Sequence, residues 1–395
     1  MLPIFDKNFV VKQVVVMKNV VGQIPRGEDF YPRNDIIKRI YVRLESGNHL
    51  YLSAPRRSGK TSIMRALEDA PRDGYVFIYL DVEDCNDQED YFRMLAEELE
   101  KSEAKGTLEK LSNRGKSTIN SFLDRIKSIK VAGVEIETTQ SEALKSFTLA
   151  FEDLLRELEP ESKLVIMVDE FPIAVENIAK VHGRQAAVQF LLANRAMRQR
   201  AKNGVLFIYT GSIGLPSVAR KLDPAPTIND LNIVDITPLN PKEALEMCKI
   251  LFRSGKVPID EVVILYLLDK IKWHMPFFIQ LLVQMLKDIW DNTQLDITTD
   301  DINQALDKAA SNRSNAYLAS YRDRLDKALT DDLRSLGLHI LNFIAKEGSV
   351  HQNDLNLEET RNILEILEYD GYIYEQEGSY RFNSPILRMW WQKNA

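Results

Sequence analysis

One stretch of nine residues constrains the fold of this chain more than any other: APRRSGKTS, from Ala54 to Ser62. The mostly apolar run HLYLS (His49–Ser53) precedes it, and SIMRALEDA (Ser62–Ala70) follows with its apolar residues at helical spacing. A loop that leads from a strand into a helix presents backbone N–H groups and the positive end of the helix dipole to an anion. The stretch therefore predicts a strand, a phosphate-binding loop and a helix in succession.

The spacing of the loop matches the Walker A pattern, with Ala54 in place of its first glycine. Gly59 lets the backbone approach a phosphate, Lys60 supplies a charge for the β- and γ-phosphates, and the Thr61 hydroxyl suits Mg²⁺. The residues between them need only donate backbone N–H groups, which every residue except proline can do. The alternative is a chance match on a basic surface loop. The nucleotide-binding candidates are Ala54, Pro55, Arg56, Arg57, Ser58, Gly59, Lys60, Thr61 and Ser62, and Lys60 is also a catalytic candidate.

Length and composition narrow the class of protein. The chain has 395 residues, enough for two or three domains, and its hydrophobic share of 45% and charged share of 28% are typical of a globular protein. Its net charge of −7 argues against general nucleic-acid binding but leaves room for a local basic patch. Cys85 and Cys248 are far apart and lack the spacing of a metal or disulfide motif. No apolar run approaches the roughly 20 residues of a membrane span, and charges interrupt the apolar N-terminus, unlike a signal peptide. We therefore expect a cytoplasmic protein that does not enter a membrane.

Strand-like and helix-like patterns alternate between residues 31 and 236, which predicts an α/β fold with a parallel sheet. Five consecutive apolar residues, Leu164–Val168, suit a strand that is buried on both faces. The predicted strands are His49–Ser53, Tyr75–Val82, Lys163–Phe171 and Gly204–Ser212. The predicted helices are Asn34–Gly47, Ser62–Ala70, Gln88–Lys101, Ser146–Glu159 and residues 185–202.

The strand pattern fades after Asp235, and helical spacing predominates. We predict four parts: an N-terminal arm (1–30) with an edge strand at Phe9–Val16, a P-loop NTPase core (31–236), a helical domain (237–330) and a C-terminal unit (331–395). The predicted helices of the helical domain are Pro241–Phe252, Asp260–Ile271, Phe277–Trp290 and Thr298–Ala309, the last opened by a capping box from Thr298 to Asp301. The C-terminal unit is predicted to begin with a helix at Ser335–Ser349 and to contain a hairpin at Gly371–Asn383.

A basic segment interrupts the core between residues 102 and 142. From Lys101 to Lys130 there are eight lysines and arginines against three acidic residues, a net charge of +5. We interpret this segment as an insertion that docks a partner or forms a solvated excursion. The stretch Ile126–Thr138 alternates around Gly133 and predicts a small hairpin.

Two adjacent carboxylates, Asp169 and Glu170, end the strand that contains Leu164–Val168. Two acidic residues after a buried strand are costly unless they serve a cation or a reaction. Beside a Walker A loop, Asp169 is expected to hold Mg²⁺ through water, and Glu170 to orient or deprotonate the attacking water. Such a pair favours hydrolysis over transfer to another acceptor. The alternative is a pair of exposed carboxylates at a strand end.

Thr210 and Ser212 end the next apolar strand, where a polar side chain can sense the γ-phosphate or simply cap a turn before Gly214. Three arginines between the two strands are candidates for an arginine finger that reaches a neighbouring subunit's nucleotide, although a solvated basic helix face is the alternative for each. These arginines are Arg184, Arg195 and Arg198.

The chain resembles the archaeal and prokaryotic STAND-class ATPases, relatives of AAA+ proteins. The resemblance rests on DFYPRNDIIKRI (29–40), APRRSGKTS, LVIMVDEF (164–171), FIYTGSIGL (207–215), WHMPFFIQLL (273–282) and the C-terminal part, and it covers most of the chain. It implies that the helical domain (237–330) is a lid, that the C-terminal unit (331–395) is a winged-helix domain, and that Arg33 and Pro276 contact the nucleotide. The family usually has glycine where Pro32 and His274 stand here. The resemblance further implies ATP or ADP with Mg²⁺, and a switch between nucleotide states that is often accompanied by self-association.

We weigh three functions on this basis. The first is an ATP-hydrolysing switch that acts on protein partners. The second is a nucleic-acid-associated ATPase that uses the winged helix and the basic insertion, and the third is a nucleotide-bound scaffold with negligible turnover. We predict that the winged helix does not enter a DNA groove, because residues 357–378 hold seven acidic residues and one arginine, whereas a groove binder must neutralise phosphates.

Overall fold

The computed structural model describes residues 16–104, 106–107, 113–135, 150–151, 153–154, 163–201, 204–222, 227–311, 316–329 and 331–394. Contacts divide the chain into two compact units. The sheet unit comprises residues 36–53 and 63–235, and the helical unit comprises residues 1–35, 54–62 and 236–395. The predicted division into four parts at residues 30, 236 and 330 stays a prediction.

The sheet unit is built on five parallel strands in the order β2-β3-β4-β1-β5. The strands are β1 (His49–Ser53), β2 (Tyr75–Asp81), β3 (Lys163–Asp169), β4 (Val205–Tyr209) and β5 (Leu231–Asp235). The central strands β3 and β4 are buried throughout their apolar stretches, as strands covered by helices on both faces must be. The α/β class and the four predicted strands are confirmed.

Seven helices accompany these strands in the described ranges: α1 (Asn34–Glu45), α2 (Lys60–Asp69), α3 (Gln88–Ala104), α4 (Asn113–Glu135), α5 (Phe171–His182), α6 (Arg184–Arg200) and α7 (Leu215–Leu222). The prediction of a hairpin at Ile126–Thr138 is wrong as far as Glu135, because α4 continues through it. Ile119, Leu123 and Ile126 recur every three to four residues and are all buried, so the helical period outweighs the local alternation. Residues 136–149 lie outside the described residues, as does most of the predicted edge strand Phe9–Val16.

The helical unit contains the remaining elements. Its helices are α8 (Pro241–Ser254), α9 (Glu261–Ile271), α10 (Pro276–Thr293), α11 (Thr299–Ser311), α12 (Ala316–Ala328), α13 (Asp331–Glu347), α14 (Leu357–Tyr369) and α15 (Pro385–Asn394). Asn240 and Glu243 form a capping box before α8, and Thr298 and Asp301 exchange the same pair of hydrogen bonds before α11, as predicted.

A small antiparallel sheet in the order β6-β8-β7 lies within the C-terminal segment (residues 331–394): β6 (Val350–His351), β7 (Ile373–Gln376) and β8 (Ser379–Phe382). Along the chain, the elements of this segment are α13, β6, a 3₁₀ turn at Gln352–Asp354, α14, β7, β8 and α15. The predicted winged helix stays a prediction. One hydrophobic core runs through the helical unit, from Met17 through helices α8 to α11 to Trp390 and Trp391. The two tryptophans are therefore core residues.

Candidate functional site

The predicted phosphate-binding loop (residues 54–59) joins β1 to α2, which begins at Lys60. Its backbone is left-handed at Arg57, with φ +63°, and at Gly59, with φ +90°. The ammonium group of Lys60 is buried and donates to the carbonyl oxygens of Ala54, at 2.7 Å, and Pro55, at 2.8 Å. The Lys60 side chain thus connects the start of α2 to the start of the loop and stabilises the loop's curvature.

This loop has the features that a polyphosphate requires. Alternation of left-handed and right-handed residues turns successive N–H groups inward and makes an anion-binding concavity. A buried ammonium and the N-terminus of α2 add positive potential there. The Ser58 hydroxyl is 1% exposed and has no hydrogen-bond partner among the described residues, so a buried polar atom is left for a ligand. The residues present therefore fit a phosphate group.

Three successive loop residues are held by other parts of the helical unit. Pro55 lies against Gly371, where an added Cβ would stand 2.1 Å from the Pro55 ring. The Tyr321 hydroxyl donates to the Arg56 carbonyl at 3.1 Å. The Arg57 guanidinium lies 4.6 Å and 4.5 Å from the ring centroids of two aromatic residues, Phe277 of α10 and Tyr317 of α12. None of these contacts follows from the Walker A motif.

The structure also shows where the two residues suggested by family resemblance lie. Arg33 is buried and donates to the Thr237 carbonyl. Pro276 is the first residue of α10, and the neighbouring backbone connects the two, since Leu239 N–H donates to the His274 carbonyl at 3.0 Å. Both residues therefore belong to one connected region of the helical unit.

The predicted carboxylates lie at the carboxyl edge of the sheet, within the sheet unit. Asp169 ends β3 and is 3% exposed. The Tyr79 hydroxyl donates to its Oδ2 at 2.9 Å, and the Glu170 N–H donates to its Oδ1 at 3.0 Å. Burial, and then the charge of Asp169, raise the pKa of Tyr79 well above its usual range, so the tyrosine keeps its proton and remains a donor.

Glu170 adopts a left-handed conformation, with φ +55°, and its side chain does not cap α5. Instead its Oε2 accepts two hydrogen bonds from Ser212, from N–H at 2.9 Å and from the hydroxyl at 2.5 Å. The hydroxyl of the other predicted sensor, Thr210, is buried and donates to the Leu52 carbonyl of β1. Of the predicted sensors Thr210 and Ser212, only Ser212 donates its hydroxyl to one of the two predicted carboxylates, Glu170.

The carboxylate edge has a strongly negative character. Asp81, which ends β2, pairs in register with Asp169. Burial, with a contribution from the charge of Glu170, raises the pKa of Asp81 above its usual value. Carboxylate and hydroxyl oxygens are the ligands that Mg²⁺ prefers, and the ion usually keeps several waters. Asp169, whose two oxygens already accept hydrogen bonds, fits a contact to Mg²⁺ through water.

The candidate arginine fingers differ in their surroundings. The Arg198 side chain is 1% exposed and forms a forked ion pair with Asp230, with N–O distances of 2.7 Å and 2.8 Å. Arg198 is therefore a core residue that cannot reach a neighbouring subunit. Arg184 donates to the Leu222 carbonyl, and Arg195 is partly exposed on α6.

The C-terminal segment presents an acidic helix. Ile363, Leu364, Ile366 and Leu367 of α14 are buried. Glu358, Glu359 and Glu365 are exposed on the same helix. In the basic segment (residues 101–130), Arg125 of α4 forms an ion pair with Asp153, so one positive charge of that segment is paired within the fold.

No helix in the described ranges is both long and apolar enough to cross a membrane.

Sequence reasoning missed two groups of side chains. One is Tyr79, whose hydroxyl holds Asp169 although the residue reads as part of an apolar strand. The other consists of two tyrosines, Tyr317 and Tyr321, which lie four residues apart on α12, a helix that we did not predict. A repeat of tyrosine at i and i+4 is the signal that indicates one helical face with two hydroxyls.

Comparison with solved structures agrees with this architecture. A Walker-type ATPase of Pyrococcus abyssi aligns over 95% of this chain and 99% of its own, with a TM-score of 0.63 at 16% identity. The ORC2 protein of Aeropyrum pernix, solved in ADPNP–ADP complexes, aligns over 96% of this chain and 95% of its own, with a TM-score of 0.53 at 12% identity. No family model and no curated protein matches the sequence. The chain therefore has the fold of a P-loop NTPase core followed by helical regions.

Proposed function

We propose that this protein binds Mg²⁺-ATP and hydrolyses it, as a STAND-class or AAA+-like ATPase that acts as a nucleotide-controlled switch on protein partners. The observation that carries the proposal is the carboxylate pair at the end of β3, in which Tyr79 fixes Asp169 and Ser212 fixes Glu170. β1, β3 and β4 are parallel, so Ser53 ends at the same edge of the sheet as Asp169, and the Walker A loop follows Ser53 directly.

Each residue has a proposed role. Lys60 and the loop N–H groups bind the β- and γ-phosphates, and Thr61 and Asp169 hold the metal ion, which supplies charge neutralisation at the phosphates. Glu170 accepts a proton from the attacking water through the carboxylate oxygen that Ser212 leaves available, and Ser212 keeps that carboxylate in place. The ADPNP and ADP bound to the Aeropyrum pernix protein support an adenine nucleotide here.

Lys60→Ala tests the phosphate contacts. Loss of a charge-assisted hydrogen bond costs on the order of 1.5–3 kcal/mol, so affinity for ATP in calorimetry should fall at least tenfold. Lys163→Ala is a matched control, since the Lys163 ammonium also donates to two backbone carbonyls, those of Leu44 and Glu45, but at the amino end of β3. If ATP affinity is the same in the wild type and Lys60→Ala, the phosphate site is wrong.

Glu170→Gln tests hydrolysis separately from binding. The amide keeps the shape but cannot accept a proton, so ATP should bind and persist while phosphate release stops. Glu97→Gln, at an exposed ion pair with Arg93, controls for the loss of one negative charge. A Glu170→Gln protein that turns over at the wild-type rate would sink the catalytic assignment. A wild type that binds ATP without turnover would favour the scaffold alternative.

The nucleic-acid alternative receives less support. A groove-binding helix must present lysine or arginine to phosphates, whereas α14 exposes Glu358, Glu359 and Glu365. An anisotropy titration of the full chain with duplex DNA distinguishes this nucleic-acid role from a role on protein partners. Micromolar, salt-sensitive binding that is lost in an Arg361→Ala or Arg381→Ala variant would move the nucleic-acid role to first place.

A further inference from the structure

In the phosphate-binding loop, the backbone of Arg57 has an unfavourable, left-handed conformation. A left-handed conformation, here with φ +63°, is unfavourable for a non-glycine residue, whereas glycine adopts it freely. The left-handed turn at Arg57 and the one at Gly59 together direct the loop N–H groups to one side. Something outside the motif must therefore stabilise the turn at Arg57.

The contacts of the Arg57 side chain supply that stabilisation. Its guanidinium lies within 4.6 Å of both the Phe277 and Tyr317 ring centroids, and the two rings meet edge-on at 5.6 Å. A cation within about 6 Å of an aromatic ring is attracted to it, more strongly where water is excluded. Phe277 is buried, so part of this contact lies away from solvent.

The residue before the turn is held by a separate contact. Tyr321 is 1% exposed, and its hydroxyl donates to the Arg56 carbonyl at 3.1 Å. The Tyr321 backbone is fixed in turn, because the Tyr372 hydroxyl donates to the Tyr321 carbonyl at 2.6 Å. Tyr317 and Tyr321 are four residues apart on α12 and so lie on one face of that helix.

We propose that Arg57 and Tyr321 are positioning residues that shape the phosphate-binding loop: the aromatic pair Phe277–Tyr317 holds the Arg57 side chain and Tyr321 holds the Arg56 carbonyl, so that nucleotide affinity depends on α10 and α12. The inference rests on the proposed function, since it concerns the same nucleotide. It assigns Arg57 a role through the loop backbone and not through a phosphate contact.

Substitutions at Arg57 separate these roles. Arg57→Ala loses the aromatic contacts and keeps the strained turn, so ATP affinity in calorimetry should fall roughly tenfold or more. Arg57→Gly loses the same contacts but adopts the turn freely, so it should recover part of that loss. If Arg57 instead contacts phosphate by charge, glycine and alanine are equally poor, which would overturn the inference.

Tyr321→Phe removes one hydroxyl and should weaken ATP binding roughly two- to tenfold, the range of a net hydrogen bond. Tyr266→Phe is its matched control, because the Tyr266 hydroxyl donates to Asn303 at 3.0 Å within the lid. In steady-state kinetics KM should rise for Tyr321→Phe while kcat holds, since the catalytic carboxylate is untouched.

Hydrogen–deuterium exchange supplies a readout that needs no nucleotide. Amides of residues 57–62 should exchange faster in Tyr321→Phe than in Tyr266→Phe and wild type. Suppose that wild type binds ATP and that Lys60→Ala weakens this binding. If Tyr321→Phe then equals wild type in both ATP affinity and amide exchange, the inference fails and the proposed function stands. If wild type binds no ATP, the proposed function fails, and faster exchange alone would still support the loop contacts.

Discussion

The close approach of Gly371 to Pro55 can be tested by adding a single methyl group. In Gly371→Ala the new Cβ would lie 2.1 Å and 2.4 Å from two carbons of the Pro55 ring, closer than real Cβ contacts reach, so the backbone of one residue must shift. Such overpacking typically costs about 1–3 kcal/mol. The left-handed φ of +77° at Gly371 adds about 1–2 kcal/mol for any residue with a Cβ. We expect a total loss of about 2–5 kcal/mol.

Gly378 provides the matched control, because it lies in the same hairpin region and has the same φ of +77°. A Cβ there would meet the ends of two flexible side chains, His351 at 3.0 Å and Gln352 at 3.3 Å, which can move. Gly378→Ala should therefore lose only the backbone term of about 1–2 kcal/mol. The difference between the two variants isolates the contact with the phosphate-binding loop.

Tryptophan fluorescence during urea unfolding is a suitable assay, since all four tryptophans of the chain lie in the helical unit: Trp273, Trp290, Trp390 and Trp391. Gly371→Ala should unfold at lower urea than Gly378→Ala by an amount that corresponds to about 1–3 kcal/mol. Equal losses in the two variants would refute the contact with Pro55.

Three further predictions concern the sheet unit. Burial lowers the pKa of His49 from 6.5 to about 4, so the neutral imidazole stabilises the folded state above pH 6.5 and this stabilisation is lost as the pH falls. Urea unfolding followed by far-UV circular dichroism should give a free energy of unfolding about 2 kcal/mol lower at pH 5 than at pH 7, and a smaller difference in His49→Gln. Asp230→Asn leaves the buried Arg198 guanidinium without its ionised partner, so we expect a loss of about 3 kcal/mol in the same assay. Tyr79→Phe removes a donor to Asp169, so the Mg²⁺ concentration for half-maximal ATP hydrolysis should change several-fold while metal-free nucleotide affinity stays constant; an unchanged Mg²⁺ dependence would contradict a metal role for this carboxylate.

The sequence predicts the sheet best where strands are apolar throughout. Leu164–Val168 in β3 is unmistakable because both faces are buried. β5 (Leu231–Asp235) was not predicted, because it is an edge strand in which only Val234 is buried, and half-exposed residues carry no continuous apolar run. α4 was misread because the alternation around Gly133 is local, whereas the buried residues that decide the period lie a turn or more earlier in the chain.

The motif residues of the candidate site were predictable, but their partners were not. A Walker A loop and an acidic pair after a strand are local patterns that follow from phosphate and metal chemistry. Tyr79 lies 90 residues from Asp169, and Tyr321 lies 265 residues from Arg56. Pairing over such distances is set by strand order and helix packing, which one sequence does not specify. Thr210 and Ser212 illustrate the same limit, since only the fold shows that their hydroxyls point to different partners.

Two adjacent carboxylates can serve different roles because the backbone turns between them. Asp169 still belongs to β3, and both of its oxygens accept hydrogen bonds, from Tyr79 and from the Glu170 N–H. The left-handed turn at Glu170 then directs the second side chain away from β3 to Ser212, beyond the end of the neighbouring strand β4. In the strand order β4 stands between β3 and β1, so Glu170 is drawn towards the strand that the Walker A loop follows. The turn thus gives the two carboxylates different hydrogen-bond partners, and the proposed metal role of Asp169 and proton-acceptor role of Glu170 rest on that difference.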